Sequence, residues 1–288
     1  MKRFILILIL LSLTLAGCAP LPSADIAATT APVYCFTSAL CEGTGLTVTQ
    51  LVTESVSCLH DYSLSVRQVK AVESARLVVL SGGGLEDFMA DVLEGKQCLD
   101  SSKGISFLDS CHDHEHDDHG HEHEHDPHFW LSPESAKQMA QNICTGLTEQ
   151  FPAHADTFHR NLQLLTRKFD ELQAYGQQQL ADISCRELIT FHDGFSYFAD
   201  SFGLKILRSV EEESGSEASA SELKELILLV RDHSLSAIFT EVNGSVSAAG
   251  IIAAETGTKV FTLSMAMGDT DYFEAMYQNI DTLKEALG

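Results

Sequence analysis

The 288 residues include 41 acidic and 18 basic side chains, a formal net charge of −23 at pH 7. This disfavours nucleic acid as a partner and adsorption to anionic lipid through the folded surface, and it suits a body that attracts cations. With 44% hydrophobic and 20% charged residues, the composition is that of a globular protein long enough for two lobes with their own cores.

In chain order, Lys2 and Arg3 precede an apolar run from Phe4 to Leu15, too short for a permanent membrane span, that ends in Leu15-Ala16-Gly17-Cys18. The pattern is an export signal over 1–17, and its end resembles the bacterial lipoprotein cleavage box, with Cys18 as the acylated first residue of the mature chain. Several acyl chains on one cysteine would hold the protein to the outer face of the cytoplasmic membrane or facing the periplasm. Residues 18–31, rich in Ala, Pro, Thr and Ser, are expected to form a flexible tether.

From residue 32 strands and helices alternate. Strands are expected at Val33–Phe36, Leu46–Leu51 and Arg76–Leu80, a helix over Leu64–Ser74, a tight turn at Gly82-Gly83-Gly84, a helix over 85–93 and a weak strand at Ile105–Leu108. The triple glycine lacks the Lys-Ser/Thr of a phosphate-binding loop. A helix from Pro133 to about Phe151 ends the first lobe, 32–152. Steps of four and three between Phe158, Leu162, Leu165, Phe169 and Leu172 predict one long amphipathic connecting helix over 153–182. The second lobe, 183–288, repeats the alternation: strands at Glu187–Phe191, Lys205–Val210, Ala237–Thr240 and Lys259–Leu263, and helices over 194–202, up to Asp232, over 246–256 and from about Asp271. The expected fold is α/β: two lobes with mainly parallel sheets joined by one long helix. Ligands of such lobes bind near the carboxyl ends of the strands, so the site is expected between them.

Eight of the thirteen histidines fall within residues 111–131. His112, His114, His116, His119, His121, His123 and His125 alternate with carboxylates in a loop, 111–127, that offers many loosely arranged zinc ligands and few apolar residues to fix them. This loop is expected to be mobile and to collect metal. His128 differs, because it lies where apolar residues return and a helix begins at Ser132-Pro133. His60 and His192 also lie at expected strand-to-helix turns, and the three together form a candidate fixed site. His154, His159 and His233 fall within or at the ends of helices and receive no role. Seven cysteines remain after Cys18, with no Cys-x-x-Cys pair; a Cys98–Cys111 bridge is one way to brace the histidine loop.

Cys58-Leu59-His60-Asp61-Tyr62, Asp126-Pro127-His128-Phe129-Trp130-Leu131 and Phe191-His192-Asp193-Gly194-Phe195-Ser196-Tyr197-Phe198 resemble the three metal-ligand motifs of the zinc and manganese solute-binding lipoproteins of ABC importers. The resemblance spans nearly the whole mature chain, including the long connector and the histidine loop, which is typical of the zinc branch. It implies two lobes joined by a rigid helix, a metal held between them by His60, His128 and His192, and delivery to an ABC permease by a monomer that is not an enzyme. Three imidazoles independently suit Zn2+ better than Mn2+, whose sites lean on carboxylates. The chain departs from the family at the usual acidic fourth ligand, where Leu59 and Leu263-Ser264-Met265 stand. A water, or an acid such as Glu211, Glu241 or Asp269, is then needed to complete a tetrahedron, and Asp61 and Asp193 are candidates to orient the rings. Two other functions compete: a surface lipoprotein that buffers zinc or adheres to host material, and a three-histidine zinc enzyme, for which no separate catalytic motif is found.

Overall fold

In this computed structural model the described residues are 24–54, 59, 62–108, 125–210, 218–242, 244, 246–268 and 270–288. Cys18, His60, Asp61, Cys58, Cys111, Glu211, Asp269 and the histidines from His112 to His123 lie outside them.

The first lobe is a four-stranded parallel sheet in the order β2-β1-β3-β4, with β1 Ile26–Ala28, β2 Val48–Gln50, β3 Leu77–Leu80 and β4 Cys98–Asp100. Alternation along β1 and β3 separates its faces. Ile26, Ala28, Leu77 and Val79 share a core with Val33 and Phe36 of helix α1 (Ala31–Cys41) and with Ala136, Ala140 and Ile143 of helix α4 (Pro133–Gln150). Ala27 and Val78 face the other way, towards Val72 of helix α2 (Val66–Ser74) and Met89. Ser65 caps α2 in a reciprocal box with Gln68, and a 3-10 turn at Asp87–Met89 leads into the short helix α3 (Ala90–Leu93).

Helix α5 (Ala155–Gln179) runs from this lobe to the next and buries Phe158, Leu165, Phe169 and Leu172 along one side. The second lobe repeats the parallel arrangement in the order β6-β5-β7-β8: β5 Glu187–Thr190, β6 Lys205–Ser209, β7 Ala237–Glu241 and β8 Lys259–Leu263. Helix α6 (Ser196–Ser201) follows β5. Helices α7 (Ala220–Asp232) and α8 (Ser247–Thr256) cover one face through Leu226, Val230, Ala249 and Ile252. The other face joins helix α9 (Tyr272–Leu287). Tyr272 carries the largest core across to lobe one: its ring stands edge-on to Phe36 at 4.9 Å, and its hydroxyl donates to the Trp130 carbonyl at 2.7 Å. Trp130 in turn donates from Nε1 to the Met265 carbonyl at 2.8 Å. Full burial of each such aromatic is worth about 1.5–3 kcal/mol, so the two lobes share one hydrophobic core.

Three expectations change. The tether expected over 18–31 does not extend past residue 23 among the described residues: Ile26, Ala27 and Ala28 form the central strand of the first sheet and are fully buried. The strand expected at Val33–Phe36 is instead part of α1, begun by Pro32 in its first turn and turned inward through Val33, Phe36 and Leu40. The strand expected at Ile105–Leu108 does not form; Cys98–Asp100 is the edge strand, while Leu108 N donates to the Tyr197 hydroxyl and Leu108 O accepts from Asp126 N.

The glycine turn has a reason of its own. Glu86 is buried, and its carboxylate accepts from Thr29 Oγ1 (2.5 Å), Ser81 N (2.7 Å) and Gly82 N (3.0 Å). Burial raises its pKa to about 7 against the opposing pull of those donors. Gly82 has φ +90°, and a Cβ there would meet Asp100 Oδ1 at 1.9 Å, so the position requires glycine.

Candidate metal centre

His128 ends the segment that returns from the histidine loop. Asp126 Oδ1 accepts from His128 N and faces His128 Nδ1, both at 2.8 Å, and the Asp126 carbonyl accepts from the Tyr197 hydroxyl of the second lobe at 2.8 Å. Burial pushes the Tyr197 phenol up to about 12, so it remains a neutral donor. Beyond His128, Phe129–Leu131 form a buried 3-10 turn, and Ser132 caps α4 by accepting from Ser135 N. With Nδ1 turned to a carboxylate, the ring presents Nε2 outward.

His192 follows the carboxyl end of β5, where Phe191 N still donates to Phe239 O of β7. Its Nδ1 lies 3.6 Å from Glu241 Oε2 at the end of β7, and its Nε2 lies 3.4 Å from His128 Nε2. The two rings are nearly perpendicular, at 85°. Both histidines and both carboxylates are buried, none more than 7% exposed. Gly194 makes the approach possible: a Cβ at this position would stand 2.9 Å from His128 Nδ1, 2.9 Å from His192 Cδ2 and 2.5 Å from Met265 Cε.

The separation of the nitrogens is informative. Tetrahedral Zn2+ with Zn–N bonds of about 2.0–2.1 Å sets its ligand nitrogens about 3.3–3.4 Å apart, the distance found between the two Nε2 atoms. One ring belongs to each lobe, and each ring has a carboxylate at its other nitrogen, the arrangement that orients zinc-bound imidazoles. Among the described residues no group of three His, Cys, Asp or Glu side chains converges on one point. His60 lies outside them; its neighbour Leu59 is buried in the lobe-one core, with its carbonyl accepting from Tyr62 N at 3.0 Å.

The thiols of Cys35, Cys41, Cys98, Cys144 and Cys185 are free. Burial raises Cys35 and Cys41 to about 12 and shifts Cys98 and Cys144 upward too, so these four offer no thiolate at neutral pH. Of the loop histidines, His125 is described, and it is held by the fold: its ring stacks on Phe107 at 5.7 Å. The expectation of a mobile loop up to residue 127 therefore fails at its end, because Asp126 is also buried and its backbone is bonded to Leu108.

Residues 26–286 match the family described as zinc-uptake complex component A, periplasmic. The chain belongs to this family. It is 29% identical to the high-affinity zinc uptake system protein ZnuA of Bacillus subtilis, over 89% of this chain and 85% of that protein. It is 28% identical to the zinc-binding protein AdcA of Streptococcus pyogenes over 88% of this chain, but spans only about half, 54%, of that relative's length. A crystal structure of ZnuA superposes with a TM-score of 0.80 at 28% identity, covering 92% of this chain and 99% of that one.

Against the zinc-uptake family pattern, the two positions without a carboxylate have structural duties here. Leu59 is a core residue, and Ser264 Oγ accepts from Ala266 N at 3.1 Å while Ser264 N and O pair with the Asn279 amide. Asp193, expected as a candidate to orient His192, accepts from Ser209 Oγ at 3.2 Å. The carboxylates next to the rings are Asp126 and Glu241. Asp126 stood in the Asp-Pro-His motif, and the signal that could have singled it out is its position two residues before a histidine, where a side chain can fold back on the backbone. Gly194 stood in the third motif without an assigned role.

Proposed function

We propose that this protein is the extracytoplasmic solute-binding component of a zinc ABC importer, which holds Zn2+ between its lobes and releases it to a membrane permease. The observation that carries this reading is the His128–His192 pair, one ring from each lobe, with Nε2 atoms at the spacing of a zinc tetrahedron's edge. Burying carboxylates costs several kcal/mol each unless opposite charge lies close, and a dication at the Nε2 pair supplies that charge to both Asp126 and Glu241. His60 is the third ligand and water the fourth. The ion is cargo, so the protein performs no reaction on it. Cys18 carries the lipid anchor, the protein works as a monomer, and the loop histidines His112, His114, His116, His119, His121, His123 and His125 raise the local zinc concentration.

Zinc titration by calorimetry tests the reading on the soluble body from residue 19, on a form lacking residues 112–125, and on a His60, His128, His192 triple alanine variant. One tight zinc that survives loop deletion and disappears in the triple variant is expected. A structural zinc site is worth about 10–16 kcal/mol over four ligands, so loss of three leaves no tight binding. Tight binding that instead disappears with the loop and persists in the triple variant would make the protein a surface zinc buffer.

A further inference from the structure

We infer that Glu241 is a positioning residue for the metal centre, setting the tautomer and direction of His192 through the ring nitrogen that faces away from His128. The inference deepens the zinc reading above and rests on His192 being a ligand.

Glu241 ends β7, beside β5, so the parallel pairing of these strands brings its side chain alongside the residue that follows β5. Its side chain is 2% exposed. The chain then closes over it: Gly244 N donates to the Glu241 carbonyl at 3.1 Å, and a Cβ on Gly244 would fall 2.7 Å from Glu241 Cγ and 3.4 Å from Oε1. A strand end and a glycine-dependent turn therefore enclose this carboxylate against His192. The 3.6 Å between Oε2 and Nδ1 is beyond the 2.7–3.2 Å of an N–H···O bond. A small rotation of the ring as its Nε2 is drawn onto a cation closes the gap. With Nδ1–H donating to Glu241, the lone pair of Nε2 is directed at the same point as that of His128. The alternative tautomer, with Nε2 protonated, would place a hydrogen in the metal position. The acid next in sequence, Asp193, accepts from Ser209 Oγ, and the carboxylate that faces His192 Nδ1 is Glu241, close to it only in the fold.

The test compares wild type, H192A, E241A and E241Q as mature chains, measuring zinc affinity against a competing chelator and recording long-range proton–nitrogen correlation spectra of the zinc-loaded forms. E241A should lose about 10- to 100-fold in affinity, the usual cost of removing a carboxylate behind a zinc-bound histidine, together with the hydrogen-bonded Nδ1–H signal that H192A identifies. E241Q should recover most of the affinity and the signal, because its amide oxygen still accepts from Nδ1–H. A merely structural role would not be rescued in this way or move that proton. E241A binding zinc within threefold of wild type with the His192 signal unchanged would overturn the inference. If H192A itself binds as wild type does, the zinc reading of the centre fails first, and the two failures are thus separable.

Discussion

His128 and His192 bring chemically identical rings to one point, yet the chain holds them by different means. His128 is gripped locally: Asp126, two residues away, bonds both its backbone N and its Nδ1 at 2.8 Å, and the Phe129–Leu131 turn behind it is buried in the core shared by the lobes. His192 is held by contacts distant in sequence: a strand end, Glu241 at 3.6 Å, and the space left by Gly194. On the proposed zinc reading, the lobe-one half is set before a metal arrives, and the lobe-two half has a few tenths of an ångström to close between Nδ1 and Glu241. Trp130, Tyr197 and Tyr272 bond across the lobes, so the proposal assigns that closure to one ring.

The sharpest way to break this contrast is Asp126→Ala. It removes both bonds that set His128, and zinc affinity measured by chelator competition should fall by about a hundredfold, the upper part of the range for such residues. The loss should exceed that of E241A, and an equal or smaller loss would contradict the local grip. Gly194→Ala acts on both halves at once. Its methyl group overlaps both rings, and overpacking of this kind costs about 1–3 kcal/mol, read as a roughly 10- to 100-fold weaker zinc complex and a lower unfolding temperature. Glu86→Gln provides the contrast of a buried carboxylate whose partners are a hydroxyl and two backbone amides. The folded pKa near 7 lies above the ordinary value of 4.5, so the native state holds an extra proton between those limits. Stability from this group is fully present below about pH 4.5 and is lost as pH rises through 7, on the order of 3 kcal/mol in all. Urea unfolding from pH 4.5 to 8 should show that slope reduced in E86Q, with zinc affinity little changed.

The sequence carried the lobes, the connecting helix and the two histidines, His128 and His192, that the fold brings together, because these rest on local patterns: apolar strands, a 3.6-residue stripe, and histidines beside carboxylates. It misplaced the start of the fold. Val33-Tyr34-Cys35-Phe36 has the residue types of a strand, and only tertiary burial of Val33, Phe36 and Leu40 on one helical face decides otherwise. Ile26-Ala27-Ala28 is too short and too poor in bulky residues to announce a central strand, and Cys98–Asp100 is likewise brief and partly exposed. At the centre, Glu241 was named as one of three acids that could complete the tetrahedron and not as the neighbour of His192, since the pairing of β5 with β7 that brings it there leaves no mark in either segment. The family carboxylate positions were legible as gaps, whereas the work of Ser264 in bonding Ala266 and Asn279 belongs to the packed fold.

The most direct measurement of the central claim is anomalous diffraction at the zinc edge from crystals of the mature protein loaded with one equivalent of Zn2+. One strong peak is predicted, about 2.0–2.1 Å from both His128 Nε2 and His192 Nε2, with His60 as a further ligand. A single peak bound elsewhere, with His128 and His192 left facing each other without metal, would contradict it.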